Sequence, residues 1–138
     1  SKGEYYEWTS GDIVTSKWGS NWRMPTGAEL QALKDNCTPG WTNYGGWCLT
    51  FTGKSEDYKN EIAFPITAYY AGSNIQAEGH LYYWSSTMLS LDDVEVLWGC
   101  RDYLEDGIGE TYQMQTIGIG SGSDKAKLCV RAVLNEPK

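Results

Sequence analysis

Basic residues are scarce in this chain: 11 lysines and arginines stand against 18 aspartates and glutamates, for a formal charge of -7. Phosphate binding is driven by cations that release counterions, so this balance argues against a nucleic-acid partner. Lys125 and Lys127 form the one tight basic pair. Phenylalanine is nearly missing, with 2 residues against 7 Trp and 10 Tyr. The rings therefore carry polar edges, as suits surfaces that are half apolar and half wet. No run of about 18 apolar residues occurs, so this domain is not expected to insert into a membrane. No charged, apolar, small-residue leader opens the chain. Because residue 1 is serine, a mature or trimmed fragment is expected, which leaves the destination open. Repeats and low-complexity tracts are also absent. At 138 residues the chain reads as one domain, 1–138.

Histidine is limited to one, His80, and that bears on catalysis. In the stretch "LYYWSST" at Leu81–Thr87, a serine nucleophile needs a base within hydrogen-bond reach. In a strand, His80 and Ser85 lie about 16 Å apart on opposite faces. No G-x-S-x-G elbow surrounds Ser85 or Ser86. The run reads instead as a strand with Trp84 in the core and hydroxyls satisfying backbone groups where it ends, and His80 as a loop residue leading into it. Cys37, Cys48, Cys100 and Cys129 are too widely spaced for a CxxC zinc or redox motif. Their even number in an acidic, Tyr- and Trp-rich chain predicts one or two disulfides, with all three full pairings open. Asn36-Cys37-Thr38 matches a glycosylation acceptor, relevant only in a eukaryotic secretory cell.

Helical period comes first. Thr26 and Glu29 stand at capping-box spacing after Pro25, and Ala28, Leu30 and Leu33 give an inward stripe, which predicts a helix over Gly27–Asn36 stopped by "TPG" at Thr38–Gly40. A shorter helix is expected over Gly11–Lys17, capped by Ser10 or Asp12. The period then becomes two. "TNYGGWCLTF" reads as a hairpin turning near Tyr44–Gly46, followed by the polar loop tip "GKSEDYKN". Ile62, Phe64 and Ile66 mark a strand that Pro65 keeps short or at an edge. Val94, Val96 and Trp98 alternate, as do Tyr112 and Met114. The phase then slips to Ile117 and Ile119, which predicts a bulge near Thr116. "GIGSGS" at Gly118–Ser123 has no following Lys-[ST] and reads as a turn, not a phosphate cradle. "KLCVRAVL", apolar on both parities except Arg131, reads as a strand covered on both faces. The order implies an α+β domain.

Acidic residues crowd between Asp92 and Glu110. An EF-hand starting at Asp102 places Gly107 correctly, but Leu104 and Gln113 stand where carboxylates are needed. The acids read as a solvated face, with a calcium site of another kind as the alternative. Nothing in the sequence supports a glycosidase carboxylate pair. Tyr103 and Tyr112 flank the acidic loop Glu105–Glu110, and rings with polar tips are what binding surfaces use.

Four stretches, Asp12–Thr38 with "WRMPTGAEL", Asn60–Tyr70 with "NEIAFPITAYY", Tyr82–Thr87 with "YWSST" and Val130–Val133 with "VRAV", together resemble a known family. It is the major paralogous (FISUMP) domain first described from Fibrobacter and abundant in Bacteroides. That family is similar to the C-type lectin-like fold, shared with formylglycine-generating enzymes and the variable proteins of diversity-generating retroelements. The resemblance implies two helices followed by twisted antiparallel strands with long loops. It implies an extracellular or cell-surface, non-enzymatic module that binds a protein or glycan ligand through loops between the YWSST strand and the C-terminal strand. Trp98, Arg101, Asp102, Tyr103, Glu105, Tyr112 and Gln113 are the expected ligand contacts, with no catalytic residue, metal or cofactor. A structural adhesin or fimbrial component is the alternative reading. An enzyme of the formylglycine-generating type, using Cys100 and Cys129 as a close pair, is the third. The EPN or QPD and WND signatures of calcium-dependent sugar-binding lectins are absent, "VRAV" replaces the usual "VRPV", and "CRDYLEDGIGE" matches nothing in the family.

Overall fold

Asp12 is the first fixed point of the chain. Its backbone takes a φ of 55°, rare for a residue with a side chain, and its carboxylate holds three backbone donors: Val14 N at 3.0 Å, Thr15 N at 3.2 Å and Met24 N at 3.0 Å. The first two cap helix α1 (Ile13–Trp18), and the third ties that helix to the chain returning through β2 (Trp22–Arg23). Before α1 lies β1 (Tyr6–Glu7). The structure, a computed structural model, describes residues 4–57 and 59–135.

Helix α2 (Gly27–Asn36) begins at the expected cap. Thr26 Oγ1 accepts from Glu29 N at 3.1 Å, and the Glu29 carboxylate accepts from Thr26 N at 2.9 Å. The same carboxylate takes two parallel bonds from Arg23, at 2.6 and 2.7 Å. These bonds hold its acid well below the ordinary carboxylate range, at about 2. The inward stripe is Gly27, Leu30 and Leu33; Ala28, expected inside, faces water. Gly27 N donates to Thr87 Oγ1 at 3.0 Å, and a Cβ at Gly27 would run into the Glu95 side chain. The absence of a side chain lets the helix sit this close to the sheet.

The helix does not stop in a turn. It passes directly into β3 (Cys37–Asn43), so Thr38–Gly40 are strand, with Pro39 tolerated because β3 is an edge. The turn falls at 44–46 as expected, and β4 (Trp47–Gly53) returns against β3 and β5 (Glu61–Pro65). Pro65 ends β5 at the opposite edge. Tyr58, in the polar tip between β4 and β5, lies outside the described residues. Next come β6 (Tyr69–Ala71) and β7 (Asn74–Gln76).

Three long strands follow: β8 (His80–Met88), β9 (Asp93–Leu104) and β10 (Gly107–Gly118), paired antiparallel with β9 in the middle. Both faces of this sheet are covered. Leu81, Tyr83 and Leu97 join Leu30, Leu49, Phe51 and Phe64 on one side. Trp84, Val94 and Val96 join Val14, Met24 and Leu128 on the other. Trp84 is fully buried, as the sequence implies, and its indole N–H donates to the Tyr6 carbonyl at 2.7 Å.

The expected bulge near Thr116 is not there. From Gly107 opposite Leu104 to Gly118 opposite Asp93 the β9–β10 register is unbroken. Tyr112 and Met114 pack into the first core while Ile117 and Ile119 pack into the second, so the phase slip marks a change of covered face. The irregularity lies in β8, where Trp84 opposes Val96 but Met88 opposes Val94. Ser85, buried there, donates to the Glu95 carbonyl at 2.5 Å and accepts from Thr87 N at 3.1 Å. Its hydroxyl thus replaces ladder bonds that the bulge removes.

The end of the chain also differs from expectation. "KLCVRAVL" is not one strand: β11 (Ala126–Leu128) pairs with β1 and β6, Cys129 bridges Tyr83, and β12 (Val133–Leu134) pairs with β2. The segment changes sheets: Ala126, Leu128 and Cys129 are buried, Val133 is half-buried and Leu134 is exposed. A 3₁₀ turn at Gly122–Asp124 precedes β11. The expected disulfides are not formed either; all four cysteines are free thiols. The architecture is α+β, two helices with antiparallel sheets.

Truncating Trp84 to Ala should destabilise the fold by about 3–5 kcal/mol, read from urea unfolding, because a large side chain and the donor to Tyr6 are lost together. The Glu29 acid is depressed from an ordinary 4.5 to about 2, so its contribution is complete above pH 4.5 and is lost as pH falls toward 2. The pair is partly open to water, which limits the effect to about 1 kcal/mol. Glu29→Gln should lower stability at neutral pH by that amount and flatten the decline across this window; an unchanged acid profile would remove the assignment.

Candidate functional site

The segment expected to be a binding loop is a hairpin. Strands β9 and β10 continue to Leu104 and from Gly107, leaving only Glu105 and Asp106 as the turn. Side chains alternate across a strand, so the seven expected contacts divide between two faces. Arg101, Tyr103 and Tyr112 share the face of Leu97. Trp98, Asp102 and Gln113 share the face of Val96, and Glu105 sits exposed in the turn.

On the first face the Arg101 guanidinium is stacked between two rings. Its carbon lies 3.4 Å from the centroid of Trp47, the first residue of β4, and 5.3 Å from that of Tyr103. Arg101 Nε donates to Glu110 across the hairpin at 2.9 Å, and the side chain is only 7% exposed. Its Nη1 is buried and has no hydrogen-bond partner among the described residues. Tyr103, 75% exposed, turns its outer face to water. Tyr112 behaves differently from the exposed contact expected of it. It is half-buried and packs edge-on against Phe51 at 5.6 Å, as part of the core. Tyr44, beside Trp47 in the β3–β4 turn, is exposed and donates to Glu61 at 2.6 Å.

The second face carries a polar cluster. His80 opens β8 and is not a loop residue. Its Nδ1 accepts the Trp98 indole N–H at 3.1 Å, and its Nε2 lies 3.7 Å from Asp102 Oδ2. Cys100 completes a group whose ligand atoms lie within 4.8 Å of one another. An indole N–H only donates, so Nδ1 holds a lone pair and the neutral ring carries its proton on Nε2, facing the carboxylate. Metal-bound imidazoles show the reverse, a free ring N–H donated outward. Binding an ion through Nε2 would require breaking the Trp98 bond. Burial first, then the charge and hydrogen bond of Asp102, push the Cys100 thiol up, which is the opposite of nucleophile activation.

Cys129 does not stand beside Cys100. They flank β8 on its two edges, Cys129 beside Tyr83 and Cys100 beside His80, at positions about 10 Å apart along the strand and on opposite faces. Burial raises the Cys129 thiol to about 11. The close cysteine pair expected for an oxidase is therefore not formed. Ser85 is committed to the bulge, as described above.

Sequence reasoning passed over a second region. Trp18 and Trp22, 47% and 39% exposed, line a run of cavities around the irregular segment between β11 and β12. Arg131 borders all three, with volumes of 440, 590 and 400 Å³. The one available signal was Arg131 itself, the single charge interrupting "CVRAVL". The tryptophans lie 109 or more residues away in sequence, and only the return of β12 onto β2 brings them to it. No protein-family model, curated protein or solved structure matches the chain.

Proposed function

We propose that the chain is an exported, cell-surface, non-enzymatic module that recognises a protein or glycan through the end of the β9–β10 hairpin, on a C-type lectin-like plan of the FISUMP type. The observation that carries this reading is the Trp47–Arg101–Tyr103 stack. Tyr, Trp and Arg are the residues that concentrate binding energy, and here packing already holds them in place. Ligand binding would then cost little side-chain entropy. The buried Arg101 Nη1 adds a donor that a ligand oxygen passing the Tyr103 ring would satisfy. A paired hairpin is a more rigid platform than the loop first expected.

The adhesin alternative draws on β10, whose outer edge is the one long unpaired strand edge of this sheet. The edges of β3 and β5 carry Pro39 and Pro65, which blunt them against strand addition.

Tyr103→Ala should weaken binding at least tenfold on a glycan array or against a displayed protein library, with the melting temperature unchanged, since the ring is mostly in water. Tyr112→Ala should instead lower stability by about 3 kcal/mol, because its ring is part of the core. Ligand binding that survives Tyr103→Ala would sink the hairpin reading, and cross-links mapping to β10 would favour the adhesin one.

A further inference from the structure

Arg131 is an unusual cation in this acidic chain. Among the described residues it makes no hydrogen bond or ion pair, although two glutamates line the same cavities. Each of those acids is already engaged. Glu29 is held by both nitrogens of the Arg23 fork, and Glu4 accepts the Tyr6 hydroxyl. Arg131 thus keeps its guanidinium donors free where the three cavities meet; Glu29 is neutralised by Arg23, and Glu4, bound to a neutral hydroxyl, is the one unneutralised carboxylate in their lining. Lys17 lines none of these cavities, but its ammonium lies 5.9 Å from the centroid of Tyr6, a ring that lines one of them.

The walls are of a different kind. Trp18 and Trp22 expose indole surface, and Trp18 is braced edge-on by Tyr6 at 6.4 Å. Leu30, Leu33 and Phe64 form the deeper apolar lining of the 440 Å³ cavity. Cavities of this size, mostly apolar with a few convergent polar groups, suit small ligands. A planar guanidinium matches a carboxylate with two parallel bonds. Exposed indole faces match the flat C–H face of a pyranose ring, apolar in the middle and wet at its edge. A peptide is the poorer fit. The nearby edge strand β5 has only five residues and ends in Pro65, which has no N–H for a ladder.

We propose that this groove is a binding site for an acidic sugar, with the pyranose ring against Trp18 or Trp22 and the carboxylate on Arg131. The site is built from α1, β2 and the segment before β12, with α2 and β5 lining its apolar part, and shares no residue with the Trp47–Arg101–Tyr103 stack. It stands or falls independently of the hairpin reading.

The test is a titration of the full chain with glucuronate, galacturonate and N-acetylneuraminate, each followed by indole fluorescence and calorimetry, with glucose and galactose as neutral counterparts. At least one acidic sugar should bind and shift the indole emission, and its neutral counterpart should bind at least tenfold more weakly. Arg131→Gln should lose at least tenfold in affinity for the acidic sugar. Its thermal unfolding should be unchanged, because the side chain is exposed and unpaired. At least one of Trp18→Ala and Trp22→Ala should weaken binding, while Tyr103→Ala should leave it intact. The proposal is overturned if none of the three acids binds at about 10 mM, if Arg131→Gln binds as wild type does, or if Tyr103→Ala abolishes binding. A hexa-aspartate peptide binding as tightly as the best sugar would also overturn it, by showing that the groove reads carboxylates on a peptide.

Discussion

Strand β8 must fill space on both of its faces, and most of the molecule is arranged around that requirement. Leu81 and Tyr83 point into one core and Trp84 into the other, so elements from distant parts of the chain have to close over each side. Helix α2 and the β3–β4–β5 sheet cover the first; α1, Met24 just after β2, and β11 supply the second. Where β8 runs out of ladder partners, the bulge at 85–87 converts side-chain hydroxyls into substitutes for backbone bonds. Thr87 then passes the connection on to the first N–H of α2. One irregular stretch thereby links the central sheet to the start of the main helix.

The two surface features draw their rigidity from this scaffold in different ways. The hairpin of β9 and β10 extends beyond the covered part of the sheet, and its end is held by a guanidinium stacked on a ring of another sheet. Arg101 ties the hairpin to β4 while also pairing with Glu110 on its own partner strand. On the opposite face, the Trp98–His80–Asp102 arrangement orders side chains that would otherwise move independently. The Arg131 groove arises from a change of sheet. Residues between β11 and β12 leave one sheet before joining another, and side chains there border open space instead of a neighbouring strand.

Local sequence signals match the structure where the interaction that decides them is local. Thr26, Glu29 and the apolar spacing that follows specify α2 because the capping bonds span three residues. Asp12 and the 44–46 turn are similar cases. The C-terminal segment departs from its expected single strand for the converse reason. Apolar residues on both parities fit a doubly covered strand, but they equally fit short pieces that join different sheets in succession. The phase slip after Met114 was likewise real, but sequence cannot say whether a strand kinks or its covering changes sides. Tyr112 and Tyr103 look alike in sequence, both in strands with alternating neighbours. Phe51, a residue of another hairpin, makes one of them core.

By itself the sequence determined the helix caps, the alternation of the strands and the acidic balance, because each depends on neighbours within a few residues or on composition. It also contained the residues of both surface features without indicating that they meet. Only tertiary structure decided that Trp47 lies under Arg101, that Trp98 sets the proton on His80, and that Trp18 and Trp22 flank Arg131. Those contacts join strands and turns separated by tens of residues. Their geometry follows from which sheet each segment joins, a choice made by the packing of whole elements and not by local chain preference.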